Sequence, residues 1–121
     1  MITSIKLEEK QIQIGDRVYT LRVNLSVLER IQEECGGQLK DLMQKSMYDG
    51  NAITMAAMLN DWAEDQHWEQ DWTVKKVKKL FTPGIMDMLD VTGMFFRAMA
   101  TRETDPGQKT EDGNPDENSG N

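Results

Sequence analysis

Cysteine is almost missing from this 121-residue chain, and the single Cys35 has no partner for an internal disulfide. Burial and hydrogen bonding must therefore hold the fold, and a reducing compartment is expected. Histidine occurs once, at His67, which leaves little material for general acid–base or metal chemistry. No apolar run approaches the roughly 18 residues of a membrane-spanning helix, so no membrane partner is expected. The opening MITSIKLEEK lacks the basic-then-apolar layout of a secretory signal, which points to the cytoplasm. Basic residues are also in deficit, 14 against 21 acidic, for a net charge of −7. Phosphate binding is driven by clustered cations, so no nucleic-acid partner is expected. Phosphate-cradling glycine loops, serine nucleophile elbows and paired Cys-x-x-Cys ligands are absent as well.

The apolar deficit is local. Residues 101–121 contain no aliphatic, aromatic, methionine or cysteine residue, and they hold six of the acidic residues and two of the prolines. Such a segment cannot bury enough apolar area to offset the ordering of its backbone, so a disordered acidic tail is expected there. Residues 1–100 then form a single α+β domain.

That domain opens with strands. Ile12 and Ile14 alternate with polar residues, Gly15-Asp16 offers a turn whose first residue takes positive φ, and Val18, Leu21 and Val23 follow. This predicts a hairpin with Val18 or Tyr19 opposite the isoleucines. Ile2 and Ile5–Leu7 suggest a third, edge strand. About five helices come next. The first starts at a Ser26-x-x-Glu29 capping box, with Asn24 as the other candidate cap, and carries Leu28, Ile31 and Cys35 to a stop at Gly36-Gly37. The second carries Leu39, Leu42, Met43 and Met47 and is expected to break at Asp49-Gly50-Asn51. The third spans about Ala52 to Trp68. The fourth, Val74 to Phe81, is capped by Thr73. The fifth starts at Thr82-Pro83 and packs Ile85, Met88, Leu89, Thr92, Phe95, Phe96 and Met99 inward.

Catalytic signals are thin. Cys35 with His67 suggests a nucleophile and base, yet Cys35 closes an apolar stripe and reads as a small core residue. Glu64-x-x-His67 has the spacing of a helical metal motif. Bundle sites of that kind need two copies and two further Glu, and one copy is present. No enzyme, cofactor or metal is expected. The Lys75-Lys76-Val77-Lys78-Lys79 run places Val77 inward and lysines around the solvent arc.

Methionine is the unusual component, with nine in the chain. Met86 and Met94 share a face of the fifth helix opposite its main stripe, with Val91 nearby. A helix apolar nearly all round is either central in a bundle or exposes an apolar patch to a partner. On the second reading Met86, Val91, Met94 and Met58 form a partner-binding surface, and methionine's flexibility suits a variable client. Self-association into a ring or filament is the oligomeric consequence of such a surface.

Val18-Tyr19-Thr20-Leu21-Arg22-Val23, the acid-rich Leu25–Glu34 helix closed by Gly36-Gly37, Ala57-Met58-Leu59-Asn60-Asp61-Trp62, and Asp71-Trp72-Thr73-Val74-Lys75-Lys76-Val77 occur in an order that resembles the tail assembly chaperones of long-tailed bacteriophages. The resemblance covers residues 10–100; Trp72 stands where that family more often has an aliphatic residue. It implies a non-enzymatic chaperone in the bacterial host cytoplasm, encoded by a phage or prophage. Its partners would be the tape-measure protein and the tail-tube protein. No site residue is carried over from the family. The competing reading is a small acidic regulatory adaptor that mimics nucleic acid.

Overall fold

The computed structural model of the protein describes residues 8–103. The edge strand expected at Ile2 and Ile5–Leu7 lies outside them. So does the expected tail, apart from its first three residues.

Two strands, β1 (Lys10–Ile14) and β2 (Arg17–Leu21), pair antiparallel, with Ile12 opposite Tyr19 and Ile14 opposite Arg17. The loop is the two residues Gly15-Asp16, and Gly15 alone of the two has positive φ, at 65°. A positive first residue matches the right-handed twist of the flanking strands, as in a type II′ turn. Six helical segments follow: α1 (Leu25–Glu34), α2 (Lys40–Met43), α3 (Met47–Asp65), α4 (Val74–Leu80), α5 (Pro83–Leu89) and α6 (Val91–Glu103). Five are helices of seven residues or more and α2 is a single turn, so the α+β order of a hairpin followed by helices holds.

The 19-residue α3 is the hub, touching β2, α1, α4, α5 and α6. Every residue from Gly50 to Leu59 is buried. A helix covered on all sides needs apolar residues all round, and Ala52, Ile53, Met55, Ala56, Ala57, Met58 and Leu59 supply them. This burial overrides the break expected at Asp49-Gly50-Asn51. Ser46 caps the helix by accepting from Asp49 N at 3.1 Å, and the helix runs straight through Gly50. The propensity cost of one interior glycine, about 1 kcal/mol, is small beside the apolar area that the continuous helix buries.

The start of α1 also differs from the capping-box expectation. Asn24 is the cap, its Oδ1 accepting from Val27 N at 2.9 Å. Asn24 Nδ2 donates to Asp61 Oδ2 at 2.9 Å, and Arg22 Nε donates to the same oxygen at 3.0 Å. Arg22 also pairs with Asp65 and stacks over Trp62, 4.9 Å from the ring centre. Asn24 thus joins α1 to α3 at one buried carboxylate, which Arg22, the residue after β2, also meets. Ser26 has no equivalent anchor and instead accepts from Arg30.

The expected fifth helix is two helices. Thr82 caps α5 by accepting from Ile85 N, and Pro83 sits in its first turn, as the sequence suggests. The chain then turns at Asp90, which adopts the left-handed conformation at φ 53°. Met94 N bonds back to Asp90 O at 3.0 Å as α6 begins. A Cβ on Gly93 would lie 2.4 Å from Asp90 Oδ1, so the bare glycine lets the Asp90 carboxylate fold over α6. Arg97 holds that carboxylate at 3.1 Å and grips Glu8 with two further bonds, tying the entry to β1 onto α6. Finally, α6 continues to Glu103, three residues past the composition change at Ala100.

Candidate interaction surface

The turn at Asp90 resets which residues face inward. Met86, Val91 and Met94 sit in the core, each at most 1% exposed, together with Met58 at 0%. The four expected partner-binding residues therefore form no surface. Met58 is buried within α3 itself; Met86, Val91 and Met94 are buried on α5 and α6, where the left-handed residue between those helices means that a single 3.6-residue period does not span both. Met88, expected inside, is 76% exposed, and Ile85 and Phe96 are exposed with it.

Apolar exposure concentrates elsewhere. A groove of about 200 Å³ opens between α2, the start of α3 and α6. Leu42, Met43, Met47 and Phe96 give it an apolar lining, and Gly50, Thr92, Lys45 and Ser46 complete it. Met43 is 74% exposed and Met47 68%. Two lining residues are tied to the body of the fold: Thr92 Oγ1 donates to Asn51 Oδ1 at 2.6 Å, and Phe96 meets Phe95 edge to face at 5.5 Å between ring centres. Met43 and Met47 are pliable, because a methionine side chain has three rotatable bonds and a polarizable sulfur. The sequence reading placed Met43 and Met47 in the stripe of a second helix. That helix is one turn long and ends at Met43, and Met47 instead opens α3; both are left exposed. Four apolar residues between two glycine-containing stretches were the available signal, and helical periodicity misassigned them.

A second, larger cleft of about 640 Å³ lies between α1, α3 and α4. Ile53, Ala56 and Ala57 form its floor, with Glu33 and Glu34 on one wall and Lys75 on the other. Asn60 closes one side by bonding both the backbone N–H and the carbonyl of Trp72, at 3.1 and 2.8 Å.

The lysine run behaves as its spacing predicts. Val77 is fully buried, while Lys76 pairs with Asp71 and covers Trp72, and Lys78 pairs with Asp49 and covers Tyr48. The hydrogen bonds from Lys78 and from Ser46 hold the Asp49 carboxyl below the usual carboxylate range. Arg97 lowers Glu8 in the same way.

The reactive candidates do not converge. Cys35 is buried at the end of α1, and that burial pushes its thiol up, away from the thiolate a nucleophile needs. His67 lies past the end of α3 in the left-handed conformation, φ 63°. Its N–H bonds to Glu64 O and Trp68 N bonds to Ala63 O, a Schellman ending of the helix. Glu64 and His67 therefore do not share a helical face, and Glu64 accepts from Arg30 at 2.5 Å. Among the described residues, no group of three or more His, Cys, Asp or Glu is placed to hold a metal. Among them too, no helix is long and apolar enough to cross a membrane.

No protein-family model, curated protein or solved structure matches this chain.

Proposed function

We propose that this protein is a non-enzymatic binding protein that holds an apolar helical segment of a client in the groove between α2, α3 and α6. In this reading it serves as a tail assembly chaperone with the tape-measure protein as client. The observation that carries the proposal is the exposure of Met43 and Met47 in the lining of an apolar groove. Solvent-facing thioethers cost apolar hydration and stabilise nothing in the isolated chain, whereas an adaptable apolar rim suits a long client of varied sequence. The order of the hairpin and helices, and the family resemblance over residues 10–100, support the choice of client. A net charge of −7 keeps such a surface from aggregating.

The test is co-purification with the tape-measure protein encoded alongside this chain. Met43→Asp with Met47→Asp is expected to cut capture by at least about tenfold, since two apolar anchors worth about 1 kcal/mol or more each are lost. The melting temperature should stay within error of wild type. Undiminished capture would remove the groove as the client site.

A further inference from the structure

The hairpin presents an unpaired edge. Its two-residue loop makes Ile14 and Arg17 a hydrogen-bonded pair, and antiparallel alternation makes Ile12–Tyr19 and Lys10–Leu21 the next ones. The main-chain N–H and C=O groups of Gln11 and Gln13 therefore point away from β2. Among the described residues none of these groups has a hydrogen-bond partner. The two side chains do not cover them. Gln11 Nε2 reaches across the hairpin to Thr20 Oγ1 at 3.5 Å, and Gln13 Nε2 turns to Gly15 O at 3.1 Å.

The other edge is closed. Val18 O points away from β1 and accepts from Trp62 Nε1 at 3.2 Å, and α3 packs against β2. From Gln11 to Ile14 the open edge carries no proline, bulge or charge, the usual guards against strand addition. Ile12 and Ile14 are only partly buried on the core side of the hairpin.

We infer that β1 pairs antiparallel with β1 of a second copy, about a two-fold axis at Ile12, so that two hairpins join into one four-stranded sheet. The phase of the strand makes it complementary to itself. Gln11 of each copy meets Gln13 of the other, and each such pair exchanges both of its main-chain hydrogen bonds. The two Ile12 side chains then stand about 4.5–5.5 Å apart at Cβ and cover each other. Charge agrees with this register: Lys10 lies diagonal to Asp16 of the second copy. The residues directly before β1 are poorly placed to take the edge themselves. A tight reversal onto Gln11 would have to include Lys10, which is extended and paired with Leu21, and Arg97 on α6 draws Glu8 away with two bonds. The pairing does not depend on the α2–α3–α6 groove.

The experiment is sedimentation velocity on the full chain from about 10 μM to 1 mM, a range suited to an interface of the small class. Wild type should pass from monomer to dimer within it. Gln11→Lys with Gln13→Lys sets like charges opposite one another and should weaken dimerisation about five- to tenfold, and Gln11→Glu with Gln13→Glu should do the same. Mixing the two variants should restore dimers, and native mass spectrometry should find them mixed. Gln13→Pro removes an outward N–H and leaves the β1–β2 ladder intact, so it should weaken the dimer while the melting temperature stays within a few degrees. Met43→Asp with Met47→Asp should leave the dimer unchanged.

A chain that stays monomeric to 1 mM would overturn the inference, as would a dimer indifferent to both charge variants and to Gln13→Pro. Deletion of residues 2–7 tests the remaining occupant. Dimerisation should survive it, and a dimer that appears only after the deletion would assign the edge to the chain's own first residues instead. Loss of the dimer in Met43→Asp with Met47→Asp would place the contact at the groove and not at β1.

Discussion

Met55, Met58, Met86 and Met94 are sealed around α3, while Met43, Met47 and Met88 are 68–76% exposed. The side chain is the same in both groups, and its surroundings give it opposite roles. In the sealed group, flexible side chains fill irregular gaps where α3 meets α5 and α6, and their contribution is packing. In the open group the apolar area faces away from the core formed by the described residues, so it adds nothing to that packing. Methionine content therefore marks adaptability, and only the position of neighbouring helices decides whether that adaptability serves the core or a partner.

The largest effect that separates the two groups is truncation. Met94→Ala should cost about 2–5 kcal/mol in urea unfolding, through lost transfer energy and a residual cavity. Met43→Ala should change stability by no more than about 0.5 kcal/mol, as for other exposed sites. Comparable losses at both positions would erase the distinction. A kinetic contrast comes next. Under dilute hydrogen peroxide, peptide mapping should find sulfoxide first at Met43, Met47 and Met88. Met55, Met58, Met86 and Met94 should be protected until the chain unfolds, because oxidation follows exposure. Early modification at Met58 would mean that α3 opens far more readily than its burial implies.

The smallest effect concerns acid. Asp49 sits at the start of α3 beside the groove, and its carboxyl is held low by Lys78 and Ser46. A carboxylate whose pKa is lowered by folding stabilises the fold above its unfolded value, near 3.9, and loses that contribution as pH falls through the folded value. Stability should therefore decline below about pH 4. Asp49→Asn should flatten that part of the profile while changing little at pH 7. An unchanged acid limb in Asp49→Asn would show that the Lys78 pair does not tether the open region.

The local parts of the fold were legible in the residues. Gly15-Asp16 set the hairpin turn, Thr73 and Thr82 with Pro83 marked helix starts, and Gly36-Gly37 marked the end of α1. Each depends on backbone preferences within a few residues. The distribution of exposed apolar residues was not legible in the same way. Treating Pro83 to Ala100 as one period set Met86 and Met94 opposite the main stripe, as a second covered face or a partner surface, and Met88 inward; with the left-handed Asp90 dividing the helix, Met86 and Met94 are buried and Met88 is exposed. Glycine next to aspartate and asparagine at 49–51 suggested a break, but the packing of five elements around α3 kept the helix continuous.

Composition, spacing and caps determined on their own that this chain makes a hairpin followed by helices. Those features act through local dihedral preference and the period of apolar residues. Which cap begins α1, where the last helices turn, and which methionines meet water were decided only in three dimensions. Each of those outcomes depends on groups distant in sequence: Asp61 reaching Asn24, Arg97 beside the Asp90 turn reaching Glu8, and α3 packing against α5 and α6 where Met86 and Met94 are buried. A buried contact between distant residues can outweigh a local preference of about 1 kcal/mol, and no window of sequence contains both of its partners.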